Sequence, residues 1–273
     1  MKVQTLKSDV MMFVGKHLQS VATAFIDGED VLLVDSMASA QDARELRNVL
    51  CDQMGKRVRM LVCTHFMSDH IAGLSQFPDA LVLAHRHYRH TFLSQNHRED
   101  AFYREPSMVF DNLALRWGAH ELRVLYNPGK TMDHLSVDVP SADLVCVGDS
   151  IVGNIVYLSK ADPALLAAAI GRIRQFGRGT VVGGHMGCFS AVVLDNALHY
   201  LRQLRQAVVR ARLHATALDA EQDIQAIRVH DCVAPGVEPS DFEREWHGHN
   251  LDVIVKQEVF ALDAALAARG SAA

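Results

Sequence analysis

Cysteine is scarce in this chain and nowhere paired: Cys51, Cys63, Cys146, Cys188 and Cys232 are scattered over 273 positions with no CxxC spacing among them. An odd, dispersed set excludes a disulfide framework and fits thiols kept reduced in a cytoplasm. Long apolar runs are missing too. None approaches the roughly 20 residues that a helix needs to cross a bilayer, so no membrane partner is expected. Met1-Lys2-Val3-Gln4 leads into an alternating strand pattern and not into the apolar core of a signal peptide. Nor is positive charge in surplus. A net charge of −5 offers nucleic acid no basic face, and Arg202, Arg205, Arg210 and Arg212 read as a solvated helix face.

What is present is an ordinary globular composition, 49% hydrophobic and 22% charged, in a chain long enough for one large domain or a domain with an appendage. Strand patterns recur at Val10–Val14, Ala22–Ile26, Val31–Val34, Val58–Cys63 and Leu81–Ala84, then at 121–126, 135–139, 143–147 and 180–182. Ser39 to Asp42 resembles a capping box ahead of a helix with Ala43, Leu46 and Leu50 inward. Asp162-Pro163 is an N-cap and first-turn pair. A long helix carries Leu194, Leu198, Leu201, Leu204 and Val208, and a last helical segment runs around Leu251 to Leu262. His85, His87 and His90 read as a solvated helix face, and residues 86–112, polar and rich in His and Arg, as an inserted lid or pocket wall. The Pro- and Gly-bearing stretch Val233 to Pro239 divides a domain of residues 1–232 from a helical extension, 233–273, expected to pack on it. Strands and helices alternate throughout, which predicts an α/β fold of two sheets with helices outside.

The chemistry gathers at strand ends. Thr64-His65-Phe66-Met67-Ser68-Asp69-His70 places three metal-capable side chains in six residues directly after the apolar run 58–63. His134 stands just before 135–139, Asp149 just after 143–147, and His185 just after 180–182. Polar groups held at the ends of strands are how an α/β scaffold assembles one site from distant sequence.

Across roughly residues 10 to 190 these stretches resemble the metallo-β-lactamase superfamily. Thr64 to Gly73 is similar to that family's T-H-x-H-x-D-H-x-x-G motif, and Pro128-Gly129-Lys130-Thr131-Met132-Asp133-His134 to its P-G-H-T-x-x-H stretch. Gly148-Asp149 matches the G-D that supplies a bridging carboxylate, and Gly184-His185 the final G-H. The resemblance implies a four-layer αββα sandwich with a divalent metal, zinc first and iron or manganese as the alternatives.

Two departures qualify it. The family's first metal site takes both histidines of H-x-H and the histidine of P-G-H-T; those positions here hold His65, Met67 and Lys130. The second takes Asp69, His70 and His185 and shares Asp149, and all four are present. A thioether is a poor ligand for a borderline ion, and a protonated lysine has no lone pair to give. A mononuclear centre is therefore expected, with Lys130 as an electrostatic stand-in for the second cation. His134 has two readings, replacement ligand or a histidine facing substrate.

The implied activity is a metal-dependent hydrolase acting on a small-molecule ester, thioester, lactone or phosphodiester. A bound ion lowers the pKa of its water to about 7; Asp69 would orient or deprotonate that water, and Lys130 would help stabilise the oxyanion. Met67 and Tyr157 are candidates to line the substrate pocket. His249, with its neighbour His247, is a third, because in many relatives a C-terminal histidine approaches the cleft. Iron-dependent oxygen or redox chemistry, and ligand binding without turnover, are the alternatives. The Ala/Leu-rich last helix has two candidate partners, its own domain or a second copy of the chain in a homodimer.

Overall fold

Val31 and Leu33 point to one side of their strand, Leu32 and Val34 to the other, and all four are buried. A strand dry on both faces lies between two covering layers. A computed structural model describes residues 1–214 and 217–261; Leu262, the end of the last predicted helix, and the Ala-rich tail after it lie outside the described residues.

The first sheet runs, in order, β1 (Lys2–Lys7), β2 (Val10–Val14), β3 (Val21–Asp27), β4 (Asp30–Val34), β5 (Arg57–Val62), β6 (Leu81–His85) and β7 (Met108–Phe110). Its first four strands are antiparallel, and β5, β6 and β7 extend it in parallel. In the second sheet β8 (Leu113–Trp117), β9 (His120–Tyr126), β10 (Leu135–Val139) and β11 (Leu144–Gly148) are antiparallel. There β12 (Thr180–Gly183) lies parallel to β11, and β13 (Cys188–Ser190) closes the edge. Parallel neighbours need crossovers. The first sheet takes its crossovers through α1 (Ala40–Arg47), α2 (Ser68–Ile71) and α3 (Tyr88–Ser94), the second through α4 (Pro163–Gln175). The outer layer continues through α5 (Val192–His214), α6 (Ala217–Gln225) and α7 (Asp241–Lys256).

Three cores follow from this layering. Met12, Phe25, Leu32 and Val62 meet Leu122, Val137, Leu144 and Val182 between the sheets. Val31, Leu33 and Leu61 pack under Ala43, Leu46 and Ile71 on one outside. On the other, Val145 and Val147 pack under Leu166, Ile170, Leu204, Leu251 and Ile254. The expected αββα sandwich is the fold observed, and α7 shares the core of the second sheet.

Local signals fared unevenly. Asp162 caps α4 as expected, accepting from the amides of Ala164 and Leu165, each at 2.9 Å. Ser39 caps α1, but the reciprocal half of the box is absent. The buried Asp42 carboxylate instead accepts from the backbone of Lys16 (3.1 Å) and His17 (2.8 Å) and from the Ser39 hydroxyl (3.1 Å). The 86–112 segment is not an inserted lid: Tyr88 and Phe92 of α3 enter the core, and 108–110 pair with β6. His85 is likewise no part of a solvated helix face, being buried at the end of β6 and stacked on Tyr126 at 4.2 Å. Arg212 also leaves the solvated stripe, donating to the carbonyls of Ile254 (3.1 Å) and Val259 (2.9 Å).

Candidate metal centre

Ligands in open α/β sheets bind beyond the carboxyl ends of the strands, and the described titratable groups converge there. The turn after β5 carries His65 and Met67, α2 carries Asp69 and His70, the end of β11 carries Asp149, and the end of β12 carries His185. Two backbone bonds hold the sheets together at this point, Val21 N to Gly184 O at 2.9 Å and Leu135 N to Thr64 O at 2.7 Å. A Cβ at Gly184 would sit 2.4 Å from Asp149 Oδ1 and 2.7 Å from His70 Cε1. Only glycine lets the end of β12 approach this closely.

Asp69, His70, Asp149 and His185 each offer a ligand atom within 4.8 Å of the others. Asp149 Oδ1 lies 3.2 Å from His70 Nε2 and 3.3 Å from His185 Nε2; Asp69 Oδ2 lies 3.7 and 3.6 Å from the same two nitrogens. His70 Nε2 and Asp149 Oδ1 are buried without a hydrogen-bond partner. Unpaired polar atoms at such depth cost free energy unless something satisfies them, and two imidazoles with two carboxylates suit a four-coordinate zinc-like ion. The residues fit the metal that the sequence implied.

Surrounding groups aim these atoms. His185 Nδ1 donates to Leu18 O at 2.7 Å, which leaves the Nε2 lone pair facing the cluster. His70 Nδ1 lies 3.4 Å from Asp35 Oδ2, at ion-pair distance but outside hydrogen-bond geometry. Asp35 itself accepts from Thr64 N (2.7 Å) and Thr64 Oγ1 (2.8 Å), and Thr64 Oγ1 lies 3.0 Å from His65 Nδ1. Sequence reading passed over Asp35, although it stands at the end of a buried strand as the other site residues do. Asp35→Asn should weaken ion affinity about 10- to 100-fold, the usual cost of losing such support. Competition with a chromophoric chelator measures it; an unchanged affinity would show that His70 needs no orienting carboxylate.

Charge is distributed to match. Burial alone would raise the Asp149 carboxyl, but His185 and His70 hold it well below the usual carboxylate range. Asp69 is lowered in the same way, against its burial, by His70 and His185. Burial pulls the other way on the imidazoles, yet Asp149 and Asp69 lift His70 well above its ordinary value and His185 to about 9.

The remaining predicted residues ring this group. His65 Nε2 is buried, unpaired and 3.6 Å from Asp149 Oδ2. His134 is fully buried 5.0 Å from the His65 ring with both ring nitrogens unpaired, and burial, reinforced by His65, pushes its pKa well down. Neither belongs to the four-residue cluster. Met67 is half-buried at the start of α2. Lys130 is buried; its ammonium donates to Ser159 O at 3.0 Å and lies 4.2 Å from the centre of the Tyr157 ring. Burial lowers its pKa, while Asp149 and Asp69 act to raise it. His249 is exposed and reaches the site only through Trp246, 5.3 Å from its ring. His247 is withdrawn altogether, bound between Tyr200 Oη (2.8 Å) and Ile227 O (2.9 Å).

Phe242 and Trp246 were not anticipated, yet their rings lie 6.0 and 6.2 Å from that of His185. Two aromatics four apart on a helix read as core in any sequence, so no local signal marks them. Also unforeseen is Asp133, which accepts from Phe66 N (2.8 Å), Thr91 Oγ1 (2.6 Å) and Thr131 Oγ1 (2.7 Å).

The profile of one family, described as the metallo-beta-lactamase superfamily, matches residues 15–185. A solved metallo-beta-lactamase from Pontibacter korlensis superposes with a TM-score of 0.63 at 20% identity, over 74% of this chain and 98% of that one. Another, from Erythrobacter litoralis with beta mercaptoethanol in its active site, gives 0.60 at 17%, over 73% and 95%. At such identities the structures establish a shared fold. No curated protein matches.

Proposed function

The chain belongs to the metallo-β-lactamase superfamily, and we propose on that footing that it hydrolyses a small-molecule ester, thioester, lactone or phosphodiester with one divalent ion, zinc before iron or manganese. The buried quartet of Asp69, His70, Asp149 and His185, with unpaired atoms turned inward, carries this reading. When bound there, the ion supplies Lewis-acid polarisation and activation of water at neutral pH. A single ion is favoured by Lys130, which replaces a histidine of the family's first site and whose charge would repel a second cation. The five unpaired thiols support a reducing, cytoplasmic setting. Among the described residues no helix is long and apolar enough to cross a membrane.

The chain's own groups divide the remaining work. Asp69 is the most exposed of the quartet, with a fifth of its side chain open, so it is the carboxylate that can take the proton of an attacking water. Lys130 uses one N–H on Ser159 and keeps two for an oxyanion developing on substrate. This gives the rate a signed pH dependence. The ammonium exists below the lowered pKa of Lys130 and is lost as pH rises through it, so hydrolysis should fall on an alkaline limb below the ordinary lysine value of about 10.4. Lys130→Arg should move that limb upward, and Lys130→Met should slow the reaction and abolish the limb. A limb that survives in Lys130→Met belongs to another group.

Elemental analysis of protein purified without added metal or chelator tests the whole reading, together with a screen of esters, thioesters, lactones and phosphodiesters. One ion per chain with turnover is the expected result. Two ions would return the binuclear family chemistry. Stoichiometric iron with an activity that needs O2 would replace hydrolysis by redox chemistry, and no ion after repletion would leave a ligand-binding protein.

A further inference from the structure

α7 docks through one face and turns a second, partly covered one toward the ion site. Glu243 accepts from Asn154 N (2.6 Å) and Ser240 N (2.7 Å), and the His247 ring is held at both nitrogens. Asn250 donates to Val156 O (2.7 Å) and Tyr200 Oη (2.9 Å) and accepts from Leu158 N (2.8 Å). Those anchors, with Leu251 and Ile254, fix the helix on the second sheet. Phe242 and Trp246 pack against that core with part of each ring only. Both stay partly exposed, 5.5 Å apart, and turn toward His185. Trp246 meets Tyr157 edge to face at 4.5 Å, and Tyr157 in turn carries the Lys130 ammonium on its ring. An aromatic wall therefore runs unbroken from the metal ligand His185 to the buried lysine. The indole Nε1 in it is buried with no acceptor among the described residues.

We propose that Trp246, Phe242 and Tyr157 form a subsite for a planar aromatic ring joined by a short spacer to the carbonyl that is hydrolysed, so that the substrate is an aryl-substituted acyl ester or thioester and the product an arylalkanoate. Three observations favour that occupant. The rings of Phe242 and Trp246 meet tilted and each keeps part of its surface exposed, where an offset aromatic partner can pack. The unpaired indole N–H calls for an acceptor on the ligand. The ammonium and the ion site draw a carboxylate to the same end of the wall. Phe242 and Trp246 lie beyond the span 15–185 matched by the family, while Tyr157 lies within it. The acyl assignment rests on the hydrolase reading; the binding of an aromatic ring does not.

Trp117 and Trp246 are the two tryptophans of the chain, so Trp117→Phe in the metal-loaded protein leaves Trp246 as the sole indole reporter. Phenylacetate should change its emission saturably and bind about tenfold or more tighter than cyclohexylacetate or acetate. Trp246→Leu, which keeps a bulky apolar side chain, should raise KM about tenfold more for a phenylacetyl ester than for the acetyl ester, the split falling in KM and not in kcat. Equal affinity for the three acids, or binding seen by calorimetry with silent Trp246 emission, overturns the subsite. Turnover with no preference for the aryl substrate overturns it while sparing the hydrolase reading. Tight phenylacetate binding with no turnover of any ester or thioester does the reverse: the ring subsite stands and hydrolysis falls.

Discussion

Asp149→Ala is expected to cost more than the roughly 100-fold in ion affinity that supporting residues cost, so that the protein is purified essentially without metal. Asp149 is the member of the quartet in contact with the most histidines, 3.2 Å from His70, 3.3 Å from His185 and 3.6 Å from His65. Removing it leaves imidazoles that face one another across a charge that has gone. Lewis-acid stabilisation is worth several kcal/mol, and at 1.36 kcal/mol per tenfold, the proposed hydrolysis should drop by about 10^3-fold or more. Asp149→Asn, which preserves the shape and one oxygen, should lose most of the same affinity because the missing quantity is charge. Metal per chain, read beside a far-UV spectrum that reports the fold, checks both variants. A folded Asp149→Ala protein that still carries its ion would mean that the quartet is not the metal centre.

Asp133→Ala should be the most destabilising single change at the site, by about 3–5 kcal/mol. The carboxylate is buried and accepts from one amide and two hydroxyls. Its loss strands three buried donors, each worth about 1–3 kcal/mol unpaired, with partial relief by relaxation. In a domain of this size that lowers the melting temperature by roughly 10 °C. Because the three donors come from the loop after β5, from α3 and from the segment before β10, metal affinity should weaken along with stability. Thr91→Val and Thr131→Val, each removing one donor, should cost much less. Denaturant titrations with an unchanged slope measure the series, and an Asp133→Ala protein as stable as its parent would show the three elements to be held by packing alone.

How much of this could be read from the chain depended on distance along it. Asp69, His70, Asp149 and His185 each follow an apolar run, so their placement at strand ends was visible even though their convergence needed the fold. Lys130 and Met67 were legible as departures because their neighbours kept the family's spacing. Asp35 and Asp133 were not. Their roles consist of hydrogen bonds to Thr64 and to Phe66, Thr91 and Thr131, and such bonds leave no periodicity behind. The 86–112 segment misled for the opposite reason: its surface is polar and its histidines conspicuous, while the features that make it structural are two buried aromatics and a three-residue edge strand. On α7, His249 drew notice as a histidine, and the side chain that does face His185 is the indole one turn earlier.

The quartet takes Asp69 and His70 from the first sheet and Asp149 and His185 from the second. An ion bound there is a non-covalent rivet through both layers, made only when the sandwich is closed. Binding and folding are thereby a single linked equilibrium: at a free concentration 100 times its dissociation constant, the ion adds about 2.7 kcal/mol to the folded state. On the proposed reading, cellular metal supply would then set not only how many molecules are active but how many survive unfolding and proteolysis. Starvation for the metal would be felt first as a fall in abundance.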